Sequence, residues 1–185
     1  VFFFFNDTAT TEIYTLSLPT LFRSLWSIVV LLWDKVVFYG EIALNLDVKG
    51  RLTIPAMYRQ PISDVCENQL VLTYNAYEND SLWLYPQSEW EKVRDSVMAL
   101  STFDPMHRAL QRRLVGSAYH VSPDKGSRIL LPITLRQVAS MEKRVVMLGL
   151  GGKFEIWNED ALQKTRHQVP AMNGEVSDAM KSLVL

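Results

Sequence analysis

The sequence predicts an α+β fold, mostly β, built from two tandem copies of one supersecondary unit. Three observations carry this. "NLDVKGRLTIP" at 45–55 and "SPDKGSRILLP" at 122–132 share a 77-residue register, which places Asp47 on Asp124, Arg51 on Arg128 and Pro55 on Pro132. The register continues, with Arg59 on Arg136 and Gln60 on Gln137. Around each copy lie short runs rich in Leu, Val, Tyr and Trp, bounded by turn residues as strands are. Each set of runs is followed by a stretch with apolar residues at helical spacing.

The elements follow in order. "YGEIALNLD" (39–47) alternates as a strand does. "VKG" turns, with Gly50 free to take positive φ. "RLTIP" (51–55) returns until proline, with no N–H to give a ladder, stops it. "AMYRQ" then opens a short helix or turn. "QLVLTYN" (69–75) and "SLWLYP" (81–86) are strands joined by the turn-like "AYEND". A helix over 86–100 puts Trp90, Val93, Val97 and Leu100 on one stripe. A further helix spans 104–117, with Asp104 as N-cap, Pro105 in its first turn and Gly116 at its close. The cycle then repeats: "SAYHVSPD" with "RILLP" as a second hairpin, "ITLRQVAS" as a short helix, "RVVMLGLGG" and "KFEIWN" as strands, and a last helix over 159–169.

The expected organisation is an N-terminal extension at 1–36, a first repeat at 37–103, a connecting helix at 104–117, a second repeat at 118–169 and a flexible tail at 170–185. The extension is unlike the rest. It opens on four phenylalanines, and residues 6–24 resemble the in-frame translation of a sequencing adapter. It is therefore expected to be non-native, with Val36 or Val37 hiding a GTG start codon. The competing reading is a membrane anchor over "SLWSIVVLLW" (24–33), which is short of the ~20 apolar residues a span needs.

Composition narrows the function. One cysteine, Cys66, excludes an intramolecular disulfide framework and any cysteine-cluster metal site. The three histidines, His107, His120 and His167, are dispersed without ligand spacing. No metal and no cofactor is expected. The net charge is −1. Residues 37–185 carry 17 basic and 17 acidic side chains, so a global basic footprint for nucleic acid is missing. "LGLGGK" (148–153) lacks the spacing of a phosphate loop and reads as a β-turn. No nucleophile motif stands out, so no enzyme and no small-molecule substrate is expected.

The combination "NLDVKGRLTIP…YR" with "LWLYPQSEWE", then "D…GSRILLP…LRQ" and "KFEIWNED", closely resembles the MraZ family from about Val37 to Val169. That family regulates transcription of the bacterial division and cell-wall gene cluster and belongs to the AbrB/SpoVT-like group. The resemblance implies two swapped-hairpin half-repeats forming one pseudo-two-fold β-barrel with peripheral helices. It also implies a homo-oligomeric ring, an octamer or similar, that binds direct repeats in promoter DNA, its own promoter included, as a repressor. A cytoplasmic, nucleoid-associated protein would follow.

By the same resemblance the DNA-reading positions fall on Lys49 and Arg51, and less directly on Arg128 and Lys125. A two-stranded ribbon fits the major groove, where arginine can bind guanine O6 and N7 bidentately and lysine suits phosphate or guanine. Asp47, Gly50 and Asp124 are expected to build the turns: each aspartate accepts backbone N–H bonds and pairs with its arginine. The second copy reads "DKGSR" against "DVKGR", so its lysine and glycine sit one place earlier. Tyr39 stands where many relatives have arginine.

Plainer readings attach to the remaining cations. His107, Arg108, Arg112 and Arg113 are expected to make a solvated helix face or intersubunit ion pairs in preference to DNA contacts, and Arg59 and Arg136 to pack their stems on the barrel. Met57, Met98, Met106 and Met141 are fillers. Trp83, Tyr85, Trp90 and Trp157 fill the core beneath the helices. If they were exposed, they would suit the rival function, an oligomeric protein-interaction module without DNA binding.

Overall fold

A computed structural model of the chain describes residues 37–167. The readings made for residues 1–36 and for the tail fall outside the described residues.

In chain order the elements are β1 (Phe38–Asn45), β2 (Arg51–Thr53), α1 (Ala56–Cys66), β3 (Leu70–Tyr74), β4 (Ser81–Pro86), α2 (Gln87–Met98) and α3 (Pro105–Leu114). They continue as β5 (Tyr119–Val121), β6 (Arg128–Leu130), α4 (Ile133–Val138), β7 (Arg144–Gly151), β8 (Phe154–Asn158) and α5 (Glu159–His167). Six strands form an antiparallel sheet in the order β1-β7-β8-β4-β3-β5, while β2 and β6 pair as a separate ladder.

The fold is mixed α+β and strand-rich, but the two strands of each expected hairpin part company after the turn. β1 pairs along its whole length with β7 of the second copy, from Phe38↔Gly151 to Asn45↔Arg144. β5 pairs with β3 of the first copy. β1 and β2 keep a single bridge, Leu46↔Leu52. A closed barrel is not found among the described residues: the sheet is open, with β1 and β5 at its edges. β2 and β6 are three residues long and run into Pro55 and Pro132, so they form their own ladder instead of joining the sheet's edges.

That ladder is symmetric. Its pairs are Arg51↔Leu130, Leu52↔Ile129 and Thr53↔Arg128. Under the 77-residue shift Leu52 is equivalent to Ile129, so the ladder maps onto itself about a local two-fold between them. The flanking bonds obey the same rule: the Leu131 N–H donates to Gly50 O at 3.0 Å and the Ile54 N–H to Ser127 O at 2.8 Å. Leu52 and Ile129 are fully buried and join one core with Ile54, Leu131, Leu70, Leu84 and Phe154.

Local chemistry explains some of the helix limits. At α3, Asp104 accepts from the Met106 N–H at 2.7 Å and Pro105 sits at the first position. α1 runs to eleven residues where a short helix was expected, with Pro61 inside it. Proline costs a helix one backbone bond. Here Tyr58, Ile62 and Cys66, spaced by four, are all buried, and that packing carries the helix onward. Glu67 and Asn68, both at positive φ, end it.

The aromatic residues lie where the core reading puts them. Trp83, Tyr85 and Trp90 are buried with Val71, Val97 and Leu114 beneath α2 and α3. Trp157 is buried with Val146 and Leu162 beneath α5. β1 crosses β7 so closely at Gly149 that a Cβ there would lie 2.7 Å from Phe38 C.

Leu52→Ala is expected to lower the unfolding free energy by about 2–5 kcal/mol, as for other fully buried leucines. Leu130→Ala, next along the partner strand but 54% exposed, should change it by less than about 0.5 kcal/mol. Urea unfolding followed by tryptophan fluorescence measures both.

Candidate nucleic-acid interface

Each copy of the repeated motif folds into the same turn. In the first, the Gly50 N–H donates to Asp47 O at 2.8 Å and the Asp47 N–H to Arg51 O at 3.0 Å. In the second, the Ser127 N–H donates to Asp124 O and the Asp124 N–H to Arg128 O, each at 2.8 Å. The left-handed position is Gly50 in one copy, at φ 76°, and Ser127 in the other, at φ 57°. The sequence offset of the second glycine therefore leaves the backbone path unchanged and makes a serine adopt a conformation that glycine takes more readily.

The aspartates organise these turns as the sequence suggests. Asp47 Oδ1 accepts the Lys49 and Arg51 N–H groups, each at 2.9 Å. Its Oδ2 takes Arg51 Nε and Nη2, both at 2.7 Å. Asp124 repeats this: Oδ1 accepts the Gly126 and Arg128 N–H groups at 2.7 and 3.0 Å. Its Oδ2 takes Arg128 Nε at 2.9 Å and Nη2 at 2.8 Å. One carboxylate thus folds the turn with one oxygen and orients a guanidinium with the other. The ladder sets the two clasps side by side, and Arg51 Nη1 lies 3.7 Å from Asp124 Oδ2.

These contacts shift the carboxyls. The Arg128 guanidinium, then the backbone donors, hold Asp124 down at about 2 against partial desolvation. The Arg51 N–H foremost, with the Arg51 side chain, also lowers Asp47. Arg128 is raised, chiefly by its bond to Asp124.

The candidate cations divide by position. Lys49 is exposed at the third residue of its turn. Lys125 is exposed as well but holds the second position, matching Val48, while Gly126 matches Lys49. Arg51 and Arg128 occupy equivalent places. Arg59 and Arg136, read from sequence as stem packing, do more: their Nε atoms donate to Ile54 O and Leu131 O, each at 3.0 Å. Arg136 also lies against the first turn, since a Cβ on Gly50 would sit 2.4 Å from its Cζ. This role went unread, although the repeat register had already paired the two arginines. Residues 47–59 and 124–136 each hold three cations and one acid, a surplus of four positive charges in a region bracketing the ladder.

Other basic groups are engaged locally. Arg113 donates to Asn75 O, Glu78 O and Asn79 Oδ1, and Arg108 to Thr102 O and Phe103 O. "LGLGGK" forms the β7–β8 turn, closed by the Leu150 N–H to Lys153 O at 2.9 Å. Among the described residues no cluster of His, Cys, Asp and Glu could hold a metal, and no helix is long and apolar enough to cross a membrane.

Gly50→Ala should destabilise the protein by about 1–3 kcal/mol, through the positive φ and the displaced Arg136. Gly126→Ala, without a positive φ, should cost less in the same denaturant titration. The Asp124 carboxyl sits below its unfolded value near 3.8. Its contribution to stability is therefore complete above that value and disappears as pH falls through about 2. NMR titration of its carboxyl carbon is expected to find a midpoint below the unfolded value of 3.8.

Comparison with known proteins agrees with the geometry. A family model described as "MraZ protein, putative antitoxin-like" matches twice, over residues 37–113 and 114–181. The "Transcriptional regulator MraZ" of Stenotrophomonas maltophilia (strain R551-3) is 46% identical over 125 residues, covering 68% of this chain and 84% of that protein. The proteins of the same name from Xanthomonas oryzae pv. oryzae (strain MAFF 311018) and Xylella fastidiosa (strain Temecula1 / ATCC 700964) are 40% and 41% identical over 149 residues, each covering 80% of this chain and all of the relative. With two tandem copies of the motif, each folded into the same aspartate-clasped turn, the chain belongs to the MraZ family.

Proposed function

We propose that this chain is a transcriptional regulator that binds double-stranded DNA sequence-specifically through the paired turns 47–51 and 124–128. The observation that carries this is the surplus of four positive charges at the ladder of a chain whose residues 37–185 are neutral in sum. Lys49 and Arg51 act in the first turn, and Arg128 and Lys125 in the second. Relatives named as transcriptional regulators support the regulatory reading.

On this reading the protein works in the cytoplasm at the nucleoid. It represses the division and cell-wall gene cluster, including its own promoter. The strand exchange between the halves suits a pseudo-two-fold, swapped-hairpin unit that assembles as a ring, an octamer or similar. A few cations per subunit bind weakly at physiological salt, because affinity falls with every released counterion. Several subunits on evenly spaced direct repeats raise overall affinity by roughly 10²–10⁴ without new contacts. The interaction-module alternative needs Trp83, Tyr85, Trp90 and Trp157 at the surface, and all four are buried.

The test is a salt-titrated mobility shift on the DNA upstream of its own gene, with Arg51→Ala alongside. A shift that weakens with salt and is lost in the variant, at unchanged oligomeric state, is the expected result. An intact oligomer that shifts no upstream DNA at low salt would overturn the reading.

A further inference from the structure

We infer that Asp47 and Asp124 are specificity-determining positioning residues: each holds its arginine in the one orientation that presents the guanidinium's outer edge to a base. This rests on the DNA-binding reading above. A guanidinium has five N–H donors in a planar fork. The carboxylate takes Nε and Nη2 on the inner edge, at 2.7 Å each in the first turn and at 2.9 and 2.8 Å in the second. Nη1 takes no hydrogen bond among the described residues, and in the first turn it faces the Asp124 carboxylate of the second. Arg51 Nη1 is 3.7 Å from Asp124 Oδ2, too far for a hydrogen bond. The outer edge therefore remains open for the two acceptors of a guanine.

Charge and orientation predict opposite effects at these aspartates. A carboxylate on a DNA-binding face repels every phosphate, so charge alone makes its removal strengthen binding to any duplex. Orientation makes its removal weaken binding only where a base must be met. Asparagine separates the aspartate's two tasks. Its carbonyl can still accept the two backbone N–H groups that Oδ1 holds, preserving the turn. Its amide cannot accept from Nε and Nη2, which releases Arg51 and leaves Arg128 only the longer bond from its Nε to Oδ1, at 3.3 Å.

Asp47→Asn and Asp124→Asn are compared with the wild-type chain on two duplexes: the tightest-binding segment of the upstream DNA, and a shuffled duplex of the same length and composition. Each variant is expected to lose roughly five- to tenfold on the selected duplex, within the range one bidentate arginine–base contact discriminates. Affinity for the shuffled duplex should hold or rise. A parallel change on both duplexes, in either direction, overturns the inference while leaving the DNA reading standing. A wild-type chain that binds neither duplex overturns both. If the variants unfold, the wild-type chain still answers. Nitrogen-edited NMR should show the Arg51 and Arg128 Nε–H protons protected from exchange both free and on the selected duplex, and loss of that protection on binding overturns the inference.

Discussion

The pairing of β2 with β6 about a local two-fold is the constraint on which the rest depends. It is only three residue pairs long, yet Leu52 and Ile129 at its centre are fully buried. Each strand leads directly out of an aspartate-clasped turn. The ladder therefore fixes both turns relative to one another, brings Arg51 of one copy near Asp124 of the other, and sends the arms β1 and β5 into opposite halves of the sheet. Fold and candidate interface have the same origin: the duplicated motif builds the seam and carries the charge.

Much of this was legible in the residues. The 77-residue register reports the symmetry, and Asp104–Pro105 announces α3 by capping chemistry alone. Ser81–Pro86 was bounded correctly because turn residues flank a β-rich run. The strand partners were not legible: "YGEIALNLD" and "RLTIP" look like a hairpin locally, and only the packing of distant halves diverts them. The length of α1 was hidden for a related reason. Pro61 signals a break, and three residues buried by the rest of the fold override it. At the site, the pairing of Asp47 with Arg51 followed from spacing. The stacking of Arg136 on Gly50 depends on a contact across 86 positions, which no local pattern reports.

On the proposed DNA-binding reading, a protein with balanced charge must segregate that charge to meet a polyanion. Here segregation is local: two thirteen-residue segments hold a surplus of four positive charges, and the rest of residues 37–185 holds the balancing four negative ones. Within the interface itself, two carboxylates remain among the cations. On the proposed reading they lower the net attraction to DNA while giving two flexible arginine side chains defined directions, a trade between strength and selectivity.

The exchange of arms also shapes how the chain can be made. Residue 38 finds its partner at 151, so a ribosome must deliver most of the protein before the first strand has anywhere to go. The N-terminal half waits with unpaired edges at β1 and β3, and pairings of such long range close slowly. During that wait an identical nascent neighbour offers a chemically equivalent partner, the situation in which exchanged dimers and strand-edge association arise. Duplication within one chain tethers the proper partner, so the competition becomes one of local concentration, and it should tilt toward self-association as expression rises.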